Sequence, residues 1–278
     1  MKKIAVLLTV HNRKQKTLEC LRNLYSQQIT KDYVFDVYLT DDGCTDGTSE
    51  AVSQEFPKIN IVKGDGNLFW NRGMHAAWSE AEKQCYDFYL WLNDDTYLLD
   101  NALSYILNMS ENRCNNSIII GTTLDSEMKS LTYGGFDKAG RFISEVKEVM
   151  ECYTWNGNIV LIPKSVYERV GKNDPVFHHA IGDTDYGLRA RKFQIKSYLS
   201  DKPCGICDLH SSIPKWRDPQ QTVIKRLKYL YAPGNNGSNP IDFFIFKKRH
   251  YGLFKAVLTF LSNHLHALFP RLWNLMGR

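Results

Sequence analysis

The chain has 278 residues, of which 43% are hydrophobic and 23% are charged, a composition that fits one large domain with or without an appendage. Its seven cysteines, an odd number scattered along the sequence, exclude a disulfide framework. The opening MKKIAVLLTVHNR has an apolar run too short for a signal peptide, and a buried strand explains it better. We therefore expect a cytoplasmic protein with reduced thiols.

The first half of the chain alternates between strand and helix patterns. Short β-rich apolar runs predict strands, and apolar residues three and four positions apart predict helices. The predicted strands are 4–10, 34–40, 59–62 and 88–92, and the predicted helices are 17–28, 48–56 and 71–84. Such alternation is typical of an α/β fold with a mostly parallel central sheet.

The second half has a mixed pattern. Strands are predicted at 117–121, 159–162 and 196–200, a hairpin at 132–142, and a helix at 163–170. The stretch HHAIGDTDYGLRARK is polar, and PGNNGSNP at 233–240 has the composition of a linker.

The positive charge is concentrated at the C-terminal end. The formal net charge is +5, but residues 221–278 hold nine Lys and Arg against one acid, so the residues before them carry −3. The same segment holds ten aromatic residues and lacks the run of about 18 apolar residues that a spanning helix needs. We predict a catalytic domain at 1–220 and a basic, aromatic, helical tail at 221–278. The tail would lie on a membrane surface, or pack as a helical cap or dimer contact.

Common nucleotide-binding motifs are missing. After the first strand the chain reads VHNRKQKT, without the GxGxxG of a dinucleotide site, and no GxxxxGK[ST] occurs. NAD and P-loop ATP chemistry are therefore not expected. Apart from its charge, nothing in the tail favours nucleic acid as a partner.

Three acidic clusters stand at predicted strand or helix ends: Asp41-Asp42, Asp94-Asp95 and Asp183-x-Asp185, with His210 further on. Carboxylates and an imidazole suit Mg²⁺ or Mn²⁺, which would neutralise a phosphate leaving group. A separate carboxylate could take a proton from an incoming hydroxyl. Taken singly, each cluster is better explained by solvated loop acids and turn formers.

The order of these segments resembles the family 2 glycosyltransferases, inverting enzymes of the GT-A fold. The resemblance runs from residue 4 to about 210 and rests on IAVLLTVHNR, VYLTDDGCTDGT, NRGMHAAW, LWLNDDTYL, NGNIVLIPKSVYERVG and GDTDYGLRARKFQIKSYL. It implies an α/β GT-A catalytic domain followed by a C-terminal helical appendage.

The resemblance implies a role for each matching residue. Thr9 and Asp42 would hold the nucleotide base and ribose, with His11 and Arg13 close by, and Asp94 would lie near the ribose or diphosphate. The metal, Mn²⁺ or Mg²⁺, would be bound by Asp95, with His210 completing the site. Asp183 would be the base that deprotonates the acceptor hydroxyl.

Two positions depart from the family pattern. Asn93 replaces the first acid of the Asp-x-Asp motif, and Gly182 replaces the first acid of the Glu-Asp pair. The second departure leaves open whether Asp183 or Asp185 is the base; the alignment favours Asp183.

Two aromatic segments are candidates for sugar recognition. In GDGNLFWNRG, Arg72 could contact the diphosphate and Trp70 could line the sugar pocket, unless the loop's aromatics only pack into the core. Trp155 and Asn156 could bind the acceptor by stacking and amide hydrogen bonds, or simply begin a strand.

The resemblance implies a metal-dependent, inverting transfer of a sugar from a UDP or dTDP donor. The acceptor would be a saccharide or lipid-linked saccharide at the cytoplasmic face of the inner membrane, as in bacterial O-antigen or capsule synthesis. Similar sequences are often rhamnosyltransferases, although no residue here selects rhamnose. The alternatives are a sugar nucleotidyltransferase and a non-catalytic glycan- or nucleotide-binding module.

Overall fold

The protein is an α/β structure, described by a computed structural model for residues 1–179, 181–209, 214–233 and 239–271. The strands are β1 (Lys2–Val10), β2 (Tyr33–Asp41), β3 (Asn60–Lys63), β4 (Phe88–Leu92), β5 (Tyr97–Leu98), β6 (Ile118–Leu124), β7 (Leu131–Tyr133), β8 (Gly135–Phe136), β9 (Met150–Cys152), β10 (Thr154–Trp155), β11 (Ile159–Pro163) and β12 (Ser197–Ile206). The helices are α1 (Lys14–Tyr25), α2 (Thr48–Glu55), α3 (Phe69–Ala81), α4 (Ala102–Glu111), α5 (Lys164–Val170), α6 (Ile181–Lys192), α7 (Val223–Tyr231), α8 (Pro240–Tyr251) and α9 (Leu253–Leu268).

The central sheet has the strand order β3-β2-β1-β4-β11-β6-β12-β5. Its first four strands are parallel, as the alternating pattern predicts. Beyond them β11 runs antiparallel between β4 and β6, and β12 is parallel to β6. The sheet is therefore parallel at the N-terminal side and mixed beyond it.

Helices cover both faces of the sheet. Because β1 is buried on both faces, residues 4–8 are all apolar and inaccessible to solvent. On one face its alternate residues pack with Leu21 of α1 and Leu103 of α4. On the other, Trp78 of α3 meets Trp91 of β4 and Tyr186 of α6 with ring centroids 5.3–5.8 Å apart. Each such buried side chain contributes about 1.5–3 kcal/mol.

Most predicted elements of the first half are confirmed to within a few residues. Two helices differ from expectation. The polar stretch 178–192 contains α6, whose buried face includes Asp183 and Asp185, so no apolar periodicity marks it. Helix α4 follows Asn101 and was not predicted. In the predicted linker 233–240, residues 234–238 lie outside the described part of the chain.

The C-terminal helices pack against the body of the protein. Trp216, just before α7, is buried with Leu230 of α7 and Ala267 of α9. Helix α8 contributes Phe246 to a second cluster with Phe177 and with Ile181 and Leu188 of α6. Among the helices of the described ranges, none combines the length and apolarity required to traverse a bilayer.

Candidate active site

A cleft of about 480 Å³ opens where β1, β2 and β4 end, the edge of a parallel sheet where ligands bind in open α/β folds. Strands, loops and α6 all contribute to its wall. The lining residues are Thr9, Val10, His11, Arg13, Asp42, Gly66, Phe69, Trp70, Asn93, Asp95, Tyr133, Asn156, Gly157, Asn158, His179, Asp183 and Cys207.

Arg13 bridges the two acids that follow β4. Its Nη2 lies 2.6 Å from Asp94 Oδ1, and its Nη1 lies 2.7 Å from Asp95 Oδ2. Asp94 is buried behind the cleft wall and also accepts a hydrogen bond from Thr17 Oγ1 at 3.3 Å. Burial raises the pKa of Asp94, against the opposing charge of Arg13. The guanidinium therefore balances two carboxylates at the edge of the cleft.

Asp183 lies in the first turn of α6 with its carboxylate facing the cleft. Oδ2 accepts the Gly157 N–H at 3.0 Å, and Oδ1 accepts the Thr184 N–H at 2.6 Å. Burial raises the pKa of Asp183 to about 7, although these hydrogen bonds oppose the shift. A carboxyl group that titrates near neutrality suits a general base.

Asp42 organises the loop before α3. Its carboxylate accepts N–H groups from Gly66, Leu68 and Phe69 at 2.9–3.0 Å. Phe69 has a φ of 56°, a left-handed conformation that costs energy for a residue with a side chain. The hydrogen bonds to Asp42 stabilise that conformation, and Gly66 and Phe69 thereby reach the cleft. His11 is fixed nearby, since its Nδ1 donates to the Asp42 carbonyl at 2.6 Å.

Trp70 forms one wall of the cleft. Its Nε1 donates to Asn93 Oδ1 at 2.7 Å, so the residue that departs from the Asp-x-Asp pattern orients an aromatic ring. A Cβ atom at Gly157 would lie 2.5 Å from Trp70 Cζ2 and 3.5 Å from Asp183 Cβ. Glycine is required there because the indole ring lies directly against the backbone beside Asp183.

The other departure, Gly182, has a steric reason. A Cβ atom at this position would lie 1.9 Å from Asn71 Oδ1. The Asn71 amide is held in place, because its Nδ2 donates to the carbonyls of Asp174 and Phe177 at 2.7 and 2.9 Å. The space beside Asp183 is thus filled by an amide from α3.

The cleft brings together eight of the residues predicted for it: Thr9, His11, Arg13, Asp42, Trp70, Asp95, Asn156 and Asp183. Asp94 lies behind them. His210, predicted to complete the metal site, falls outside the described residues.

Besides Asp94, three predicted residues do not face the cleft. Asp185 is completely buried and binds Arg189, Arg249 and His250. Arg72 Nε donates to the Pro175 carbonyl at 2.9 Å, and Trp155 is buried with its Nε1 donating to Ser197 Oγ at 3.0 Å. Of the two candidate bases, only Asp183 lines the cleft.

The lining residues that were not assigned to the site from the sequence include Tyr133, Asn158, His179 and Cys207. His179 Nδ1 accepts the Trp70 N–H at 3.4 Å, and burial lowers the pKa of His179. Cys207 follows β12, and its Sγ lies 3.9 Å from Asp95 Oδ1. Its position just after a strand was a usable signal, whereas the hairpin that supplies Tyr133 gave none.

The donor chemistry of the cleft is compatible with a hard divalent cation. Asp95 supplies carboxylate oxygens at the wall, and Mg²⁺ or Mn²⁺ commonly binds one or two carboxylates together with substrate phosphates. Within the described part of the chain, no three His, Cys, Asp or Glu side chains form a cluster that could hold a metal alone. Besides the described side chains, oxygens of a bound nucleotide could supply further ligands to a metal at Asp95.

Solved structures with a similar fold include the S. aureus protein TarS and a mannosyltransferase. S. aureus TarS has 14% identity and a TM-score of 0.58, and the match covers 90% of this chain but only 44% of the TarS chain. Its fragment 1–349, in complex with UDP-GlcNAc, has 14% identity and a TM-score of 0.58 over 98% of this chain and 87% of the fragment. The mannosyltransferase PcManGT from Pyrobaculum calidifontis, in complex with GDP-Man and Mn²⁺, has 13% identity and a TM-score of 0.55, covering 94% of this chain and 73% of its own. At these identities the likeness shows the fold, which is the GT-A fold.

The family profile, together with the GT-A fold, identifies the protein as a glycosyltransferase. The sequence profile of Glycosyl transferase family 2 matches residues 5–159, more than half of the chain. The protein belongs to this family, as the order of its motifs predicts. The comparison with curated protein sequences gave no significant match.

Proposed function

We propose that the protein transfers a sugar from a nucleotide diphosphate donor to a hydroxyl group, with inversion at the anomeric carbon. One observation carries the proposal: the buried Asp183 carboxylate and the Arg13–Asp95 ion pair line the same cleft. The cleft therefore offers a base for the acceptor and a charged region for the diphosphate. Membership in the family supports this reading over a nucleotidyltransferase or a non-catalytic module.

The donor we propose is a UDP- or dTDP-sugar. The S. aureus TarS fragment was solved with UDP and with UDP-GlcNAc, which supports a nucleotide-sugar at the corresponding cleft. Thr9, His11 and the loop held by Asp42 would bind the nucleoside. Trp70 would line the sugar pocket, and Arg13 would turn towards the diphosphate when the donor binds.

In the chemical step, Asp183 accepts the proton of the acceptor hydroxyl. The hydroxyl oxygen attacks the anomeric carbon from the face opposite the diphosphate, and the bond from that carbon to the diphosphate oxygen breaks. The nucleoside diphosphate leaves with the bonding electron pair, so the product has the inverted configuration. Asn156, beside the base, would hydrogen-bond the acceptor.

We propose Mn²⁺ or Mg²⁺ as the cofactor, held by Asp95 together with donor phosphate oxygens. PcManGT was solved with GDP-Man and Mn²⁺, which supports a divalent ion in this fold. When bound, the ion would neutralise negative charge on the leaving diphosphate. Arg13 would have to release Asp95 Oδ2 for the carboxylate to become a ligand.

Calorimetric titration tests the donor site. UDP and dTDP are titrated, each with and without Mn²⁺, into wild-type protein, Asp95→Ala and the control Asp100→Ala, whose carboxylate is exposed after β5. We expect metal-dependent binding of one nucleotide to wild type and to the control, and its loss in Asp95→Ala. Absence of binding in every combination would contradict the donor assignment.

We further propose that the acceptor is a saccharide or lipid-linked saccharide of a bacterial surface polysaccharide, O-antigen or capsule, and that the protein works peripherally on the cytoplasmic face of the membrane. The outer face of α9 supports this location. Phe254, Leu258, Leu261 and Leu265 lie on one side of the helix and are 49–75% exposed. Helices α7 to α9 and the residue positions just after them also carry exposed cations: Lys225, Lys228, Lys248, Lys255 and Arg271. An apolar stripe in a tail with exposed cations fits an anionic bilayer surface.

Co-sedimentation with vesicles tests the location. We expect binding to vesicles that contain anionic lipid, weaker binding to neutral vesicles, and loss of binding in the double variant Phe254→Ser/Leu261→Ser. Met128→Ser, at another exposed apolar side chain, is the control. If the double variant sediments with vesicles like wild type, α9 is not the lipid-binding face. If wild type instead forms a concentration-dependent dimer that the double variant abolishes, the face is a contact between two copies.

A further inference from the structure

Helix α8 of the tail contacts both ends of the segment that carries Asp183. The segment runs from Asp174, before α6, to Asp185 in its first turns, and it includes His179 of the cleft wall. Because α8 lies more than 50 residues further along the chain, these contacts are tertiary and do not follow from local structure.

Arg249 joins the two ends of this segment. Its Nη2 lies 2.7 Å from Asp174 Oδ2, and its Nη1 lies 2.9 Å from Asp185 Oδ1. His250 Nε2 lies 2.8 Å from the same Asp185 oxygen, and Arg189 Nε donates to Oδ2 at 2.9 Å. Burial alone would raise the pKa of Asp185, but these hydrogen bonds and charges lower it. Asp185 is therefore an ionised anchor inside the protein.

The other end of α8 holds the middle of the segment. Asp242 Oδ2 accepts the His178 N–H at 3.1 Å and lies 3.0 Å from His178 Nδ1. His178 directly precedes His179, and its carbonyl accepts the Asn71 N–H at 3.1 Å. Between these polar contacts, Phe246 of α8 packs on Phe177 with ring centroids 6.4 Å apart.

We infer that α8 is a positioning element of the active site, in which Arg249, His250 and Asp242 hold the segment 174–185 so that Asp183 and His179 face the cleft. The inference rests on the proposed role of Asp183 as the base. None of the three α8 residues lines the cleft, so they act through Asp185, Asp174 and His178. Polar side chains with ion-pair partners on both sides of a short segment restrict its movement more than apolar packing alone, because their geometry is directional.

The variant Arg249→Met tests this inference. Since a misplacement of about 1 Å can cost about 100-fold in rate, we expect kcat to fall by about 10- to 100-fold. Nucleotide affinity measured by calorimetry should stay within about threefold, because the donor contacts do not involve α8. Loosening the segment would admit water to Asp183, so the acid limb of the pH–rate profile should move to lower pH. Arg249→Lys, which can bind one carboxylate but not both, should be intermediate.

The control is Arg22→Met, which loses a two-point ion pair with Glu55 far from α6. Arg249→Met could instead keep the kcat and the acid limb of wild type and show only a lower thermal midpoint. That result would mean that α8 only stabilises the fold, and it would overturn the inference. Hydrogen exchange in the peptide 174–186 of the unliganded protein gives a reading independent of catalysis. Faster exchange in Arg249→Met but not in Arg22→Met supports the positioning role, and unchanged exchange refutes it. If wild type transfers no sugar from any donor, the proposed function fails while this exchange result still stands.

Discussion

Replacing Asp183 by Asn separates two consequences of burying a carboxyl group at the cleft. As the proposed base, Asp183 should contribute about 100- to 10,000-fold to turnover, so Asp183→Asn should be nearly inactive while still binding nucleotide. As a buried acid, it should also make the folded protein less stable at alkaline pH. The same substitution should therefore abolish activity and increase stability.

The size of the stability effect follows from the pKa of Asp183, which burial raises from 3.8 to about 7. A shift of roughly three units corresponds to at most about 4 kcal/mol. The amide of the Asn variant accepts the two N–H groups less well than the carboxylate, which costs about 1 kcal/mol of stability for each hydrogen bond. The net gain in the stability of the variant is therefore about 1–2 kcal/mol. The folded state binds the proton more tightly than the unfolded chain. Wild type therefore loses this stability as pH rises from about 4 to about 7, and the Asn variant does not.

Thermal unfolding at about pH 5 and about pH 8 provides the assay. The midpoint of Asp183→Asn should exceed that of wild type by about 2–8 °C at the higher pH, and by clearly less at the lower. In wild type, kcat/KM should fall about tenfold for each pH unit below about 7. An equal midpoint difference at both pH values would refute the raised pKa, and retained turnover would refute the assignment of the base.

Three further substitutions test other parts of the structure. Gly157→Ala should push Trp70 away from the base and lower turnover by about 10-fold or more, and a wild-type rate would show that the indole position is unimportant. Asp42→Asn cannot accept all three N–H groups of the loop before α3, so calorimetry should show about tenfold weaker nucleotide binding; unchanged affinity would contradict the role of that loop. Arg226→Met removes the buried donor to the Ala267 carbonyl, and we expect a loss of about 1–3 kcal/mol in chemical unfolding, whereas no loss would show that water replaces it.

The central strands and the acids at their ends could be predicted from the sequence, for a physical reason. A strand buried on both faces must be apolar throughout, so the run before Asn93 is easy to recognise, and the polar residues after it mark the open edge of the sheet. Helix α6 could not be predicted in this way. Its buried face contains carboxylates, and the side chains that pair with Asp185 include Arg249 and His250 from a helix about 60 residues away in the chain.

The direction in which individual side chains point could not be predicted from the sequence either. Trp155 and Asn156 are neighbours in a segment suited to sugar recognition, yet Trp155 points into the core and Asn156 into the cleft. Adjacent residues of an extended chain face opposite ways, so one of the two had to be wrong, and only the packing of Trp91 against Trp155 shows which.

The contact between Asn71 and Gly182 restricts how this enzyme can change. An acid cannot be introduced directly before Asp183 by one substitution, because any side chain at position 182 collides with a fixed amide. Asn71 would first have to become smaller, which alone would leave a void and remove the donor to the carbonyls of Asp174 and Phe177. We therefore expect the two positions to be epistatic, with each single variant less stable than the double variant. An acidic pair is best tested here in a double variant such as Asn71→Gly/Gly182→Glu.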